Sequence, residues 1–206
     1  MNRCVILAAR PVSVQMREYF RDDDYIIAVD AGYENARKLC VTPDICIGDF
    51  DSMDEPTGNI ETIRLPKEKN ETDTYAAAQI AVKKGCKEVF ILGGLGGRLD
   101  HSIANMQTLV YLEKNGIRAT LANETNEITV LLSGERKISS RLDCYLSVYP
   151  LGDKATGVNL RNVKYELENA ELVNDFPLGT SNEFRFSAAE ISVKTGGLYI
   201  VISSKE

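Results

Sequence analysis

Short apolar runs separated by segments of helical periodicity fill the first 133 residues, and no other feature restricts the fold as much. Runs suited to buried parallel strands lie at 4–8, 25–29, 45–47, 60–65, 88–92 and 117–122. Helical segments fall between them, most clearly 74–84, closed by Gly85, and 102–115, closed by Gly116. In the latter, Ile103, Met106, Leu109, Val110 and Leu112 are expected on one broad apolar face. Strand and helix in alternation predict a doubly wound, mostly parallel α/β domain over 1–133.

The pattern changes at Gly134. Beyond it stand short alternating stretches, 145–149, 163–167, 184–186, 189–193 and 198–202, punctuated by Pro150-Leu151-Gly152-Asp153, Pro177-Leu178-Gly179 and Gly196-Gly197. These predict a small all-β sandwich or barrel domain over 134–206.

Composition narrows the function classes. At 44% apolar and 26% charged residues the chain reads as a folded, soluble protein. Its apolar runs are too short to span a bilayer, and no signal-peptide pattern opens it, so a cytoplasmic protein without a membrane partner is expected. Five scattered cysteines without a C-x-x-C pair suggest reduced, structural thiols. A net charge of −6 argues against nucleic acid, which demands an extended basic surface, but not against a single nucleotide.

In open α/β sheets, ligands bind beyond the carboxyl ends of the strands. Those ends carry Asp30-Ala31-Gly32, then Gly48-Asp49-Phe50-Asp51-Ser52, then Gly93-Gly94-Leu95-Gly96-Gly97-Arg98-Leu99-Asp100-His101. Asp73, in Lys69-Asn70-Glu71-Thr72-Asp73, adds an acid at a helix start. Asp73 or Thr72 also suits a helix cap, as does Asp100, and Asp30 suits an ordinary turn. Asp49 and Asp51 resist that explanation. Two residues apart in an extended loop, their carboxylates point the same way and repel unless a cation lies between them. Mg²⁺ takes such hard oxygen ligands, completing its shell with water and phosphate. Four glycines in five residues let the 93–97 backbone approach a ligand and present its N–H groups, and Arg98 with Asp100 adds a phosphate clamp and a metal ligand. Lys67 and Lys69 offer further charge, or are simply solvated. His101, the only histidine, suits a helix-start hydrogen-bonding residue better than a general base, since phosphoryl transfer rests mostly on positioning and charge stabilisation.

Gly48-Asp49-Phe50-Asp51-Ser52, Lys69-x-x-Thr72-Asp73, the glycine-arginine-aspartate loop ending at Asp100, and Thr180-Ser181-Asn182 closely resemble, in order and spacing, the thiamine pyrophosphokinase family. The resemblance spans essentially the whole chain. It implies a catalytic α/β domain, a β domain that binds thiamine, and a homodimer with active sites between subunits. It implies transfer of pyrophosphate from ATP to thiamine, giving AMP and thiamine diphosphate. By matched position, Asp49, Asp51, Asp73 and Asp100 would hold Mg²⁺ and the triphosphate, and Arg98 would neutralise phosphate charge. Asp30, Gly32, Lys69, Gly93, Gly94, Gly96, Gly97 and His101 would surround the nucleotide. Thr180, Ser181 and Asn182 would meet thiamine, with Ser181 nearest the aminopyrimidine. Asn70 and Ala31 depart from the family pattern, and the chain has no Trp to stack on thiamine. A pyrophosphokinase for another alcohol, such as a pterin, is the alternative.

Overall fold

The computed structural model describes residues 2–50, 60–66 and 70–205. The chain forms two compact units, Met1–Glu124 and Thr125–Glu206.

The first unit runs β1 (Arg3–Leu7), a 3-10 helix (Val14–Tyr19), β2 (Tyr25–Val29), α1 (Gly32–Lys38), β3 (Ile45–Gly48), β4 (Glu61–Arg64), α2 (Asp73–Lys83), β5 (Glu88–Leu92), α3 (Leu99–Lys114) and β6 (Arg118–Ala122). Within this unit the strands lie in the order β6-β5-β1-β2-β3-β4, and every pairing is parallel. β1, β2 and β3 are buried along their whole length, which explains why they read as continuous apolar runs. β4 is mostly exposed, as an edge strand can be. Val5 and Leu7 share a core with Met16 of the 3-10 helix and Ala36 of α1. α2 packs over β1, β2 and β3, and α3 over β6. Three alanines, Ala76, Ala77 and Ala78, with Ala81, give α2 a small buried face.

The fold buries only part of the apolar face expected for α3: Leu109 and Leu112 are buried, Ile103 is not. Ser102, Asn105, Thr108, Leu109 and Leu112 point inward, while Ile103 is 49% exposed. Its first turns bury polar groups because they hold the glycine-rich loop, described below.

The second unit contains β7 (Asn126–Leu131), β8 (Gly134–Ser139), β9 (Cys144–Pro150), β10 (Lys154–Arg161), β11 (Leu167–Val173), β12 (Asn182–Glu183), β13 (Ala188–Val193) and β14 (Leu198–Ser204). Within it, β12-β9-β14-β7 and β11-β10-β13-β8 form two antiparallel layers. Leu146, Val148, Leu198 and Ile200 of one layer share a single core with Val158, Leu160, Ile191 and Val193 of the other. This is a β-sandwich.

Local differences from the sequence reading have physical causes. The units part ahead of the compositional change at Gly134, because β7 pairs along its length with β14. β10 is masked in the sequence by Gly157, at φ 66, and by register shifts around Val158, which break the period-two pattern. The stretch expected at 163–167 is instead an isolated bridge from Val163 to Phe184, and the strand starts at Leu167. All five cysteines carry free thiols, and Cys4, Cys46 and Cys86 are buried.

Candidate active site

Within the first unit, the chain leaves β1 for β2, β3 and β4 on one side and returns to β5 and β6 on the other. The loops after β1 and β5 therefore diverge, and this reversal opens a crevice at the carboxyl ends of the strands. A cleft of about 410 Å³ occupies the position. Ala8, Ala9, Arg10 and Pro11 line it after β1, Val29 and Asp30 at the end of β2, and Gly93, Gly94 and Gly96 after β5. Thr72, Asp73 and Thr74 enter from the start of α2, and Arg98, His101 and Asn105 from the start of α3.

Most of the expected nucleotide residues thus meet in one place: Asp30, Asp73, Gly93, Gly94, Gly96, Arg98 and His101. Asp51, Ser52, Lys67 and Lys69 lie outside the described residues. Gly32 is buried and has a different task. A Cβ there would strike the Leu7 carbonyl, so the small residue lets α1 close onto β1. Gly97 and Asp100 sit beside the lining residues rather than among them.

Each acid is held by a specific local device. Thr72 caps α2, its Oγ1 accepting from the Tyr75 N–H at 3.2 Å. The cap is therefore the threonine, and Asp73 follows as the first helical residue with its side chain lining the cleft. Asp30 adopts a left-handed backbone, φ 47, and its N–H donates to the Ile47 carbonyl at 2.9 Å. That bond lays Asp30 across the end of β3, and its carboxylate occupies the space a side chain at Gly48 would need. The glycine before Asp49 is thus required by close approach of another acid. Asp100 accepts from its neighbours: Arg98 Nη2 donates to Oδ2 at 2.6 Å, Arg98 Nε to Oδ1 at 3.2 Å, and the His101 N–H to Oδ1 at 2.9 Å. The pairing holds the Asp100 carboxyl below its usual range and raises the Arg98 guanidinium. Both side chains are largely exposed, so the pair adds little to stability.

Four residues, Asn35, Ser102, Asn105 and Arg10, belong to the site without having announced themselves. Asn35 on α1 donates through Nδ2 to the carbonyls of Ala8 at 2.8 Å and Arg10 at 2.7 Å, and its Oδ1 accepts from Val12 N–H at 3.2 Å. Asn105 on α3 donates to the Gly94 carbonyl at 2.8 Å. Ser102 Oγ accepts from the Gly96 N–H at 3.1 Å. Gly93, at φ 72, lies between the two loops, where a Cβ would stand 2.6 Å from the carbonyls of Ala8 and Arg10. Their sequence signal was faint: Asn35, Ser102 and Asn105 are polar residues at inward helix positions, and Arg10 sits in an ordinary-looking loop.

In the second unit, Thr180 Oγ1 donates to the Tyr149 hydroxyl at 3.1 Å, and the Ser181 N–H donates to Ser147 Oγ at 3.0 Å. Ser181 is exposed with a left-handed φ of 56. Asn182, only 4% exposed, is committed to the backbone. Its Oδ1 accepts from the N–H groups of Tyr165 and Glu183, each at 2.9 Å, and its Nδ2 donates to the Tyr165 carbonyl at 2.7 Å. Those contacts make it a clamp that positions Tyr165 beside the Thr180-Ser181 corner. Asn182→Ala should therefore lower unfolding free energy by about 2 kcal/mol, by stranding those backbone groups. Urea denaturation checks this, and a change of only a few tenths would remove the clamp from the account.

A parallel sheet with carboxylates, guanidiniums and glycine backbone at its switch point, followed in the chain by an antiparallel sandwich, defines an α/β phosphate-handling enzyme with a β domain. Residues 16–121 match the family described as thiamin pyrophosphokinase, catalytic domain, and residues 135–198 match thiamin pyrophosphokinase, vitamin B1 binding domain. The chain is 30% identical over 189 residues to a thiamine pyrophosphokinase of Bacillus subtilis, covering 86% of each. It is 26% identical over 196 residues to thiamin pyrophosphokinase 1 of Caenorhabditis elegans, covering 87% of this chain and 80% of that one. A crystal structure of thiamine pyrophosphokinase from Bacillus subtilis superposes with a TM-score of 0.92, at 26% identity in that superposition, over 100% of both chains. The chain belongs to the thiamine pyrophosphokinase family, and it is an enzyme that transfers a diphosphate group to thiamine. These likenesses lend no support to a pterin as acceptor. Among the described residues, no helix is long and apolar enough to cross a membrane.

Proposed function

We propose that the cleft of the first unit binds ATP with Mg²⁺, and that the thiamine hydroxyl attacks the β-phosphorus in line, releasing AMP. What supports this reading is the convergence on one cleft of Asp30, Asp73, Arg98 and the glycine loop in a chain matched to the family across both halves. Among the described residues, no three histidine, cysteine, aspartate or glutamate side chains gather closely enough to hold a metal alone. Mg²⁺ asks for less: one or two carboxylates, with water and phosphate oxygens completing its shell. The donors present fit it, being hard carboxylate oxygens, with Asp73 in the cleft and Asp30 packed over Gly48 immediately before Asp49. Asp49 and Asp73 would hold the ion, with Asp51 and Asp100 as further ligands. When bound, the metal neutralises charge on the phosphate oxygens and fixes their geometry.

The chain's own groups do the rest. The Gly93–Gly97 backbone, held by Asn105 and Ser102, admits phosphate closely and presents N–H groups. Arg98 reaches the phosphates by exchanging Asp100 for them, an exposed pairing that is cheap to break. Thr180 and Ser181 receive thiamine, so the alcohol meets the phosphorus by orientation and not by collision. Asp30, His101 and, beyond the described residues, Lys69 complete the nucleotide surroundings. A cytoplasmic homodimer with active sites between subunits completes the proposal.

Incubation with thiamine, ATP and Mg²⁺ should give AMP and thiamine diphosphate in equal amounts, with AMP release dependent on thiamine. Formation of ADP with thiamine monophosphate, or no thiamine-dependent AMP, would overturn the reading.

A further inference from the structure

The cleft holds a second arginine, Arg10, from the loop after β1. Its backbone is fixed on both sides: the N–H donates to the Gly93 carbonyl at 3.0 Å, and the carbonyl accepts from Asn35 Nδ2 at 2.7 Å. Pro11 follows and biases Arg10 toward extended backbone. The guanidinium lies against Gly97, where an added Cβ would stand 2.9 Å from Cζ and Nη1 and 3.0 Å from Nε. A side chain at 97 would displace it, so the glycine run serves the arginine as well as the ligand.

The two guanidiniums of the cleft are in different states. Arg98 has Nε and Nη2 committed to Asp100. The Arg10 guanidinium has no hydrogen-bond or ion-pair partner among the described residues. A permanently charged planar fork, held at its backbone and facing a cleft without a carboxylate partner, suits the non-bridging oxygens of phosphate. We infer that Arg10 is a polyphosphate-binding residue of this site, gripping the phosphate chain of the nucleoside triphosphate from beside the glycine loop that carries Arg98. The inference rests on the cleft being the ATP site, and it names the residue that selects for the polyphosphate.

Calorimetric titration of the whole protein with inorganic tripolyphosphate, ATP and adenosine tests it, in wild type, Arg10→Ala and Arg10→Lys. Arg10→Ala should weaken tripolyphosphate and ATP about ten- to a hundredfold and leave adenosine unchanged, with Arg10→Lys between. Wild-type affinity for tripolyphosphate in Arg10→Ala overturns the assignment. So does an equal loss of adenosine affinity in both variants, which would mark a loop that has lost its shape. The AMP-release assay stands apart from this. If wild type releases no AMP yet loses tripolyphosphate affinity on Arg10→Ala, the reaction assigned above fails and Arg10 stands. If AMP is released and Arg10→Ala binds ATP normally, Arg10 alone fails.

Discussion

Asp73→Asn should lower turnover by roughly a hundredfold or more while leaving the fold nearly as stable as before. The separation of the two effects follows from how α2 begins. Thr72 caps the helix through its Oγ1, so that cap does not depend on Asp73, which adds to helix stability as an acid in the first turn. Losing that charge should cost about 0.3–1 kcal/mol. In the cleft the same charge is a hard ligand for a cation bridging phosphate oxygens, and an amide oxygen replaces it poorly. Thr72→Ala is the contrasting variant, expected to lose about 1 kcal/mol of stability through the missing cap. Steady-state AMP release and urea midpoints on both variants decide the matter. If Asp73→Asn turns over normally, the residue belongs to the helix and the metal assignment loses its best-placed ligand.

That contrast shows what a sequence can and cannot disclose. Thr72 and Asp73 are both good residues for a helix start, and spacing alone does not say which one caps. A single hydrogen bond decides it. The strand ends were legible because burial on both faces makes parallel strands continuous apolar runs, and ligands gather beyond them. The supports of the site were not legible. Asn105 and Ser102 interrupt the inward face of α3, so no apolar stripe marks that face in the first turns, and the apolar residue there, Ile103, is exposed. The function of those polar residues is to bind loop carbonyls and N–H groups, a purpose visible only once the loop is folded over them. Arg10 was hidden for another reason: isolated arginines in loops are usually solvated, and only its place between Gly93 and Gly97 separates it from those. In the sandwich, bulged and glycine-containing strands lost the alternation on which strand reading depends.

Gly48→Ala should damage the site through a single methyl, and a second substitution can show why. Gly48 ends β3, and the space beside its Cα belongs to the Asp30 carboxylate. A methyl there must push Asp30 aside or strain the strand, an overpacking expected to cost about 1–3 kcal/mol. Turnover should fall with it, since Asp30 lines the cleft and Asp49 is the next residue in the chain. Asp30→Gly separates the two consequences. Asp30 has a left-handed backbone that glycine adopts without steric penalty, so this variant should fold well while lacking the carboxylate. Combined with Gly48→Ala it removes the group the methyl collides with. The double variant should therefore recover most of the stability lost in Gly48→Ala and none of the turnover. Urea midpoints and AMP release on the two single variants and the double one form the cycle. Additive stability losses would mean that the methyl and the carboxylate do not compete for one space. Near-normal turnover of Asp30→Gly would show that the carboxylate fills the gap over Gly48 without taking part in binding the nucleotide.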